Sequence, residues 1–141
     1  DNGTCGVILM VTLLCILLFV INIKNIKNKC NSNMIDNKII ELVKKENAKR
    51  LYNFYDYGGY LVYKNIPVFV DGRADLYSPY NYSDYVNISK LYGEYEDLID
   101  YYNFDYFLVS DQFSIYNYLK YSNDYKLIIH KNHIAFYKKN I

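Results

Sequence analysis

Residues 50–77 read RLYNFYDYGGYLVYKNIPVFVDGRADLY. Two apolar runs lie in this stretch, separated by the Gly58-Gly59 pair, and the second is closed by Asp71-Gly72-Arg73. Short apolar, tyrosine-rich runs bounded by turn residues read as strands. The first covers residues 50–54, followed by a Gly58-Gly59 turn and a brief helix over residues 60–64. The second, residues 67–70, is β-rich and ends at Asp71, as a buried strand would. Strands joined through short helices are the repeating unit of a parallel sheet, so this stretch decides the fold class.

The flanks extend the pattern. Upstream, MIDNKIIELVKKEN (residues 34–47) places Ile35, Ile39, Leu42 and Val43 at helical spacing, with Asp36 as N-cap and Lys44 and Lys45 near the C-terminus. Downstream, residues 82–102 carry Val86, Ile88, Leu91, Tyr95, Leu98 and Ile99, which predicts one or two helices broken near Gly93. Residues 106–109 form another buried strand and residues 115–121 a helical piece. The end, YKLIIHKNHIAFYKK, reads as a hairpin with Lys131-Asn132 at its turn and supplies an antiparallel edge. The expectation is a small α/β domain over residues 34–141, with a mainly parallel sheet of four or five strands that ends in a β-hairpin.

Ahead of it, CGVILMVTLLCILLFVINI (residues 5–23) contains no charge, and nearly every side chain is apolar. A helix of about 20 such residues crosses a bilayer core, where only a helix satisfies its own backbone. A secretory signal would show a basic leader and a small-residue cleavage site, whereas Lys24, Lys27 and Lys29 follow here. A buried helix of a soluble protein would carry one polar face. Residues 4–24 therefore read as a transmembrane helix and residues 25–33 as a polar linker. The three lysines vote for a cytoplasmic domain, but they flank one end of one span.

Composition excludes more than it identifies. The net charge of +1 gives no electrostatic case for nucleic acid. The 19 tyrosines accompany an excess of Asn, Lys and Ile, all with A/T-rich codons, so aromatic abundance does not indicate a stacking surface. Cys5 and Cys15 lie in the apolar segment and Cys30 stands alone, giving neither a disulfide framework nor a metal spacing. The chain begins at Asp1 rather than at a methionine, which reads as a fragment or a processed product.

In an open α/β sheet, ligands gather beyond the carboxyl ends of strands. Asp56, Asp71, Arg73, Asp75, Ser110 and Asp111 all fall at such positions, giving a polar, acidic rim with a single arginine. Each residue has a plainer reading. Gly58 and Gly59 either adopt a backbone conformation closed to other residues or let two segments approach closely. Asp71 and Arg73 pair with each other or cap a helix, or the arginine grips a phosphate bidentately. Tyr57, Tyr60 and Tyr77 fit packing better than sugar stacking. His130 and His133 straddle the hairpin turn with no carboxylate or thiolate nearby in sequence, so no metal site is assigned. The Asn2, Asn81 and Asn87 sequons are what an Asn-rich chain produces by chance.

The stretch opened above, taken with YYNFDYFLVSD (residues 101–111), resembles the C-terminal soluble domain of polytopic membrane glycosyltransferase-like proteins. These belong to the protein-mannosyltransferase-related group with the GT-C architecture. The matching positions are Asn53, residues 58–61, residues 68–77 and residues 104–109. FYDYG (residues 54–58) is also similar to the WWDYG motif of oligosaccharyltransferase catalytic subunits, which helps bind an acceptor peptide, with Phe54 and Tyr55 replacing both tryptophans.

The resemblance implies a polyprenyl-phosphate-linked sugar as donor and a catalytic carboxylate in an early membrane loop. This chain lacks that loop, so it contributes no catalytic residue, and neither metal nor cofactor is expected. It also implies an integral membrane protein whose domain sits on the extracytoplasmic side, over the membrane site, packed on helices of the same protein. That opposes the lysine vote and outweighs it. The candidate substrate-binding residues are Asp56, Tyr57, Gly58, Gly59, Asp71, Arg73 and Asp75. The alternative is a non-catalytic membrane-anchored domain in which the same motifs only build the fold.

Overall fold

The computed structural model describes residues 10–23, 34–73 and 79–140, and the chain falls into two units, residues 1–33 and 34–141. In the first unit, residues 10–23 form helix α1, about 21 Å long at 1.5 Å per residue. Every residue of α1 is exposed, large apolar side chains such as Leu13, Leu17 and Phe19 included. Among the described residues no helix is long and apolar enough to cross a membrane. Positions 4–9 and 24 of the expected span lie outside the described residues.

In the second unit, strand patterning and helix caps produce a mixed α/β fold. Helix α2 (Asn37–Lys45) starts where the Asp36 carboxylate accepts the Lys38 amide at 2.9 Å, and it buries Ile39, Ile40 and Val43. Strand β1 (Leu51–Asn53) follows, then a 3-10 turn (Tyr55–Tyr57) running directly into α3 (Gly58–Tyr63). Helices α4 (Pro79–Lys90) and α5 (Tyr95–Tyr102) are separated at Gly93, whose φ is +57°. Strand β2 (Tyr106–Ser110), helix α6 (Ser114–Tyr121) and the hairpin of β3 (Tyr125–Lys131) with β4 (Ile134–Lys139) complete the unit.

The strand order is β1-β2-β4-β3. Only β1 and β2 are parallel; β2 with β4 and β4 with β3 are antiparallel. The sheet is therefore mixed, not mainly parallel as expected from sequence. One cause lies at residues 67–70, which form no strand. Their backbone is held instead by the Asn53 side chain, which accepts from the Phe69 amide at 2.8 Å and donates to the Val70 carbonyl at 2.8 Å. The other cause is the hairpin, which inserts β4 between β2 and β3 and leaves β3 as the edge. Its turn sits one residue later than expected, at Asn132 and His133, whose φ values of +52° and +64° suit a tight hairpin turn.

Period-2 alternation divides the core between the two sheet faces. Tyr106, Leu108, Ile134 and Phe136 join Ile39 and Leu61 beneath α2 and α3. Phe107, Val109, Ala135 and Tyr137 join Ile88, Ile99 and Leu119 beneath α4, α5 and α6. Tyr52, Tyr85, Tyr125 and Tyr137 are buried in this second core, and Tyr57 and Tyr106 in the first. Tyr52 touches the rings of Phe69, Tyr85, Phe104 and Phe107 and donates its hydroxyl to the Tyr85 carbonyl at 3.2 Å. The Tyr85 hydroxyl in turn accepts the Tyr55 amide at 3.1 Å.

Burial pushes the phenols of Tyr85, Tyr102 and Tyr137 up to about 12. In the unfolded chain they ionise near 10, so their contribution to stability is complete below that pH and lost as pH rises toward 12. Urea titrations should therefore need steadily less denaturant above pH 10, with tyrosinate absorbance rising in step with unfolding. Full tyrosinate absorbance while near-UV ellipticity stays native would contradict this burial.

Candidate functional site: a polar rim at the carboxyl ends of β1 and β2

Because β1 and β2 run parallel, their carboxyl ends share one edge, and Ile134 of β4 lies opposite Ser110 there. Two groups of residues meet on this rim. The first is built around Gly58, where α3 begins. A Cβ at Gly58 would lie 2.3 Å from the Val70 carbonyl oxygen and 2.6 Å from Asp71 Cα, so only glycine admits the 70–71 backbone. Gly58 has ordinary helical φ and ψ of −54° and −51°, so close approach is what requires it. Gly59 is exposed, and a Cβ there would meet nothing within 4 Å.

Asp71 is 2% exposed and is held by a neighbour two residues on. Its Oδ1 accepts the Arg73 amide at 2.9 Å and Nε at 3.1 Å, while Oδ2 accepts Nη2 at 2.6 Å. This fork fixes a guanidinium whose side chain remains 60% exposed. Asp75 lies outside the described residues.

The second group surrounds Ser110 and Asp111. The Tyr57 phenol is buried beside Ser110; burial raises its pKa, the Ser110 hydroxyl offsets part of the rise, and the Asp111 and Asp56 carboxylates add to it. Ser110 Oγ also accepts the Gln112 amide at 3.3 Å. Asp111 stands between two imidazoles, 2.9 Å from His130 Nε2 and 3.2 Å from His133 Nδ1, and its own amide donates to the His133 carbonyl at 3.0 Å. Lys131 Nζ, on the same hairpin, lies 2.7 Å from Asp36 Oδ2 at the start of α2. Among the described residues no group of three His, Cys, Asp or Glu side chains could hold a metal ion.

The structure thus brings Tyr57, Gly58, Asp71 and Arg73 to one rim. Asp56 is exposed beside them and Gly59 faces outward. Sequence reading missed the convergence of His130 and His133 on Asp111. It looked for carboxylates near them in the chain, whereas the partner comes from β2 through the antiparallel register of β4. That register follows from the position of β4 inside the sheet, which no local sequence feature encodes. No known protein family, curated protein or solved structure matches the chain.

Proposed function

We propose that this chain is a membrane-tethered part of a GT-C-type glycosyltransferase-like protein, its α/β unit lying on the extracytoplasmic side over a membrane-embedded site. The observation that carries the tether is α1, which is apolar and exposed on every face. A helix bound to one partner protein needs one apolar stripe, whereas hydrocarbon contacts the whole circumference. The resemblance in residues 50–77 supports the glycosyltransferase part. Arg73, held by Asp71 and largely exposed, suits the phosphate of a lipid-linked sugar donor.

Two measurements test this reading. The full chain should remain in membranes after alkaline carbonate extraction. In the complete protein, Arg73→Ala should lower sugar transfer from a polyprenyl-phosphate donor about tenfold or more, the scale of one charge-assisted hydrogen bond. Protein abundance in the membrane should not change.

A second reading, a non-catalytic domain on the same anchor, is favoured by the way the motif residues satisfy one another. Gly58 packs on the 70–71 backbone, and Asp71 is buried against Arg73. Loss of expression on Arg73→Ala, with no separable loss of transfer, selects that reading.

A further inference from the structure

We propose that the corner where α2 and α3 end is a docking surface for an anionic bilayer, with a phospholipid headgroup phosphate seated between Lys44 and Lys64. Both helices stop there in the same way. Asn47 and Asn65 adopt left-handed φ values of +51° and +57°, and the amides of Ala48 and Ile66 close back on the Val43 and Leu61 carbonyls. The two reversals enclose a cleft of about 230 Å³ whose charged lining residues are Lys44 and Lys64, both cationic.

Among the described residues the cations at this corner are not neutralised by a carboxylate. Arg50, Arg73, Lys131 and Lys138 each have a carboxylate within salt-bridge distance, whereas among the described residues Lys44, Lys45, Lys49 and Lys64 have none. The adjacent acid, Glu46, is engaged by Lys138 at 2.8 Å and by the Tyr106 hydroxyl. Lysines in a last helical turn complement the helix dipole, which accounts for Lys44 and Lys45. It does not account for what lies beside them. Val62 and Tyr63 are exposed, Tyr63 to 77%, and Lys64 Nζ sits 5.2 Å from the ring centres of both Tyr60 and Tyr63. Cations flanked by an exposed aromatic ring and an aliphatic side chain match the headgroup layer of a bilayer, where aromatic rings settle and lysines meet phosphate. The net charge of +1 and the apolar flank argue against a nucleic-acid backbone as the partner. This surface belongs to the α/β unit and does not depend on α1 spanning the membrane.

The chain contains no tryptophan, so Tyr63→Trp introduces a single indole at the site. The full chain carrying it is incorporated into vesicles of phosphatidylcholine alone, or with a minority of phosphatidylglycerol. The anionic vesicles should shift the indole emission to the blue, brominated lipid should quench it, and high salt should reverse both. Each lysine removed should weaken the interaction about fivefold. Lys44→Gln with Lys64→Gln should therefore weaken it about 25-fold with unchanged circular dichroism, while Lys90→Gln with Lys120→Gln leaves it intact.

Equal signals in both vesicle types, or a signal indifferent to Lys44 and Lys64, overturn the proposal. So does selective displacement by inorganic phosphate at matched ionic strength, which would make the cleft a soluble-phosphate site. A chain that fails to enter zwitterionic vesicles counts against α1 as a span, and flotation with anionic vesicles then still reads the lysine surface.

Discussion

Asn53→Ala is expected to destabilise the α/β unit by about 3–5 kcal/mol, a large share of the roughly 5–15 kcal/mol that holds a domain of this kind. Asn53 is 0% exposed at the end of the short edge strand β1. Its Oδ1 accepts the Phe69 amide at 2.8 Å and the Val70 amide at 3.4 Å. Its Nδ2 donates to the Val70 carbonyl at 2.8 Å and to the Phe54 carbonyl at 3.0 Å. One amide therefore does for residues 69–70 what a neighbouring strand would otherwise do.

Alanine leaves at least the Phe69 amide and the Val70 carbonyl without partners, at roughly 1–3 kcal/mol for each buried group. Asn53→Asp is a sharper control. It keeps the acceptor but turns a carboxylate oxygen toward two carbonyls, so it should be at least as damaging as alanine at neutral pH. The check is urea unfolding of the full chain in detergent, followed by near-UV ellipticity of the tyrosines. A loss below about 1 kcal/mol for Asn53→Ala would mean that residues 67–70 are anchored by something other than this amide.

The same side chain explains where the sequence could and could not be read. Local signals were reliable: Asp36 before an apolar stripe gave α2, Gly93 divided α4 from α5, and alternation with turn residues gave the hairpin. Residues 67–70 failed because their apolar sequence reads as a buried strand, whereas only Val70 is fully buried and their hydrogen bonds go to a side chain. Apolar periodicity reports burial and is silent about the pairing partner. The mixed sheet failed for a related reason, since nothing local says that β4 inserts beside β2. At the rim, strand-end position pointed to Asp71, Arg73, Ser110 and Asp111, whereas Tyr57 became a candidate only through the resemblance. His130 and His133 could be placed on Asp111 only through the long-range register that pairs Ser110 with Ile134.

Gly58→Ala and Gly59→Ala should have opposite signs, although the two glycines are adjacent in the same helix. At Gly58 the backbone is ordinary helix, so alanine's better propensity would contribute up to about 1 kcal/mol if space allowed. It does not, because the new methyl would meet backbone atoms, the Val70 oxygen at 2.3 Å and Asp71 Cα at 2.6 Å, which cannot rotate aside. The 70–71 segment is also pinned on both sides, by Asn53 and by the Asp71–Arg73 fork. Relief must then come from moving α3 off the core that Leu61 fills, an overpacking cost of roughly 1–3 kcal/mol beyond the propensity gain. At Gly59 a methyl meets nothing within 4 Å, and alanine should stabilise by about 0.5–1 kcal/mol.

The shared segment makes a further demand. Gly58→Ala and Asn53→Ala should be non-additive, since the first displaces the residues that the second releases. Under the proposed function, sugar transfer should fall for Gly58→Ala only in proportion to the folded fraction. A Gly58→Ala protein that keeps full stability yet loses transfer would assign the glycine to ligand contact, and the close packing of α3 on residues 70–71 would no longer explain why the chain has glycine there.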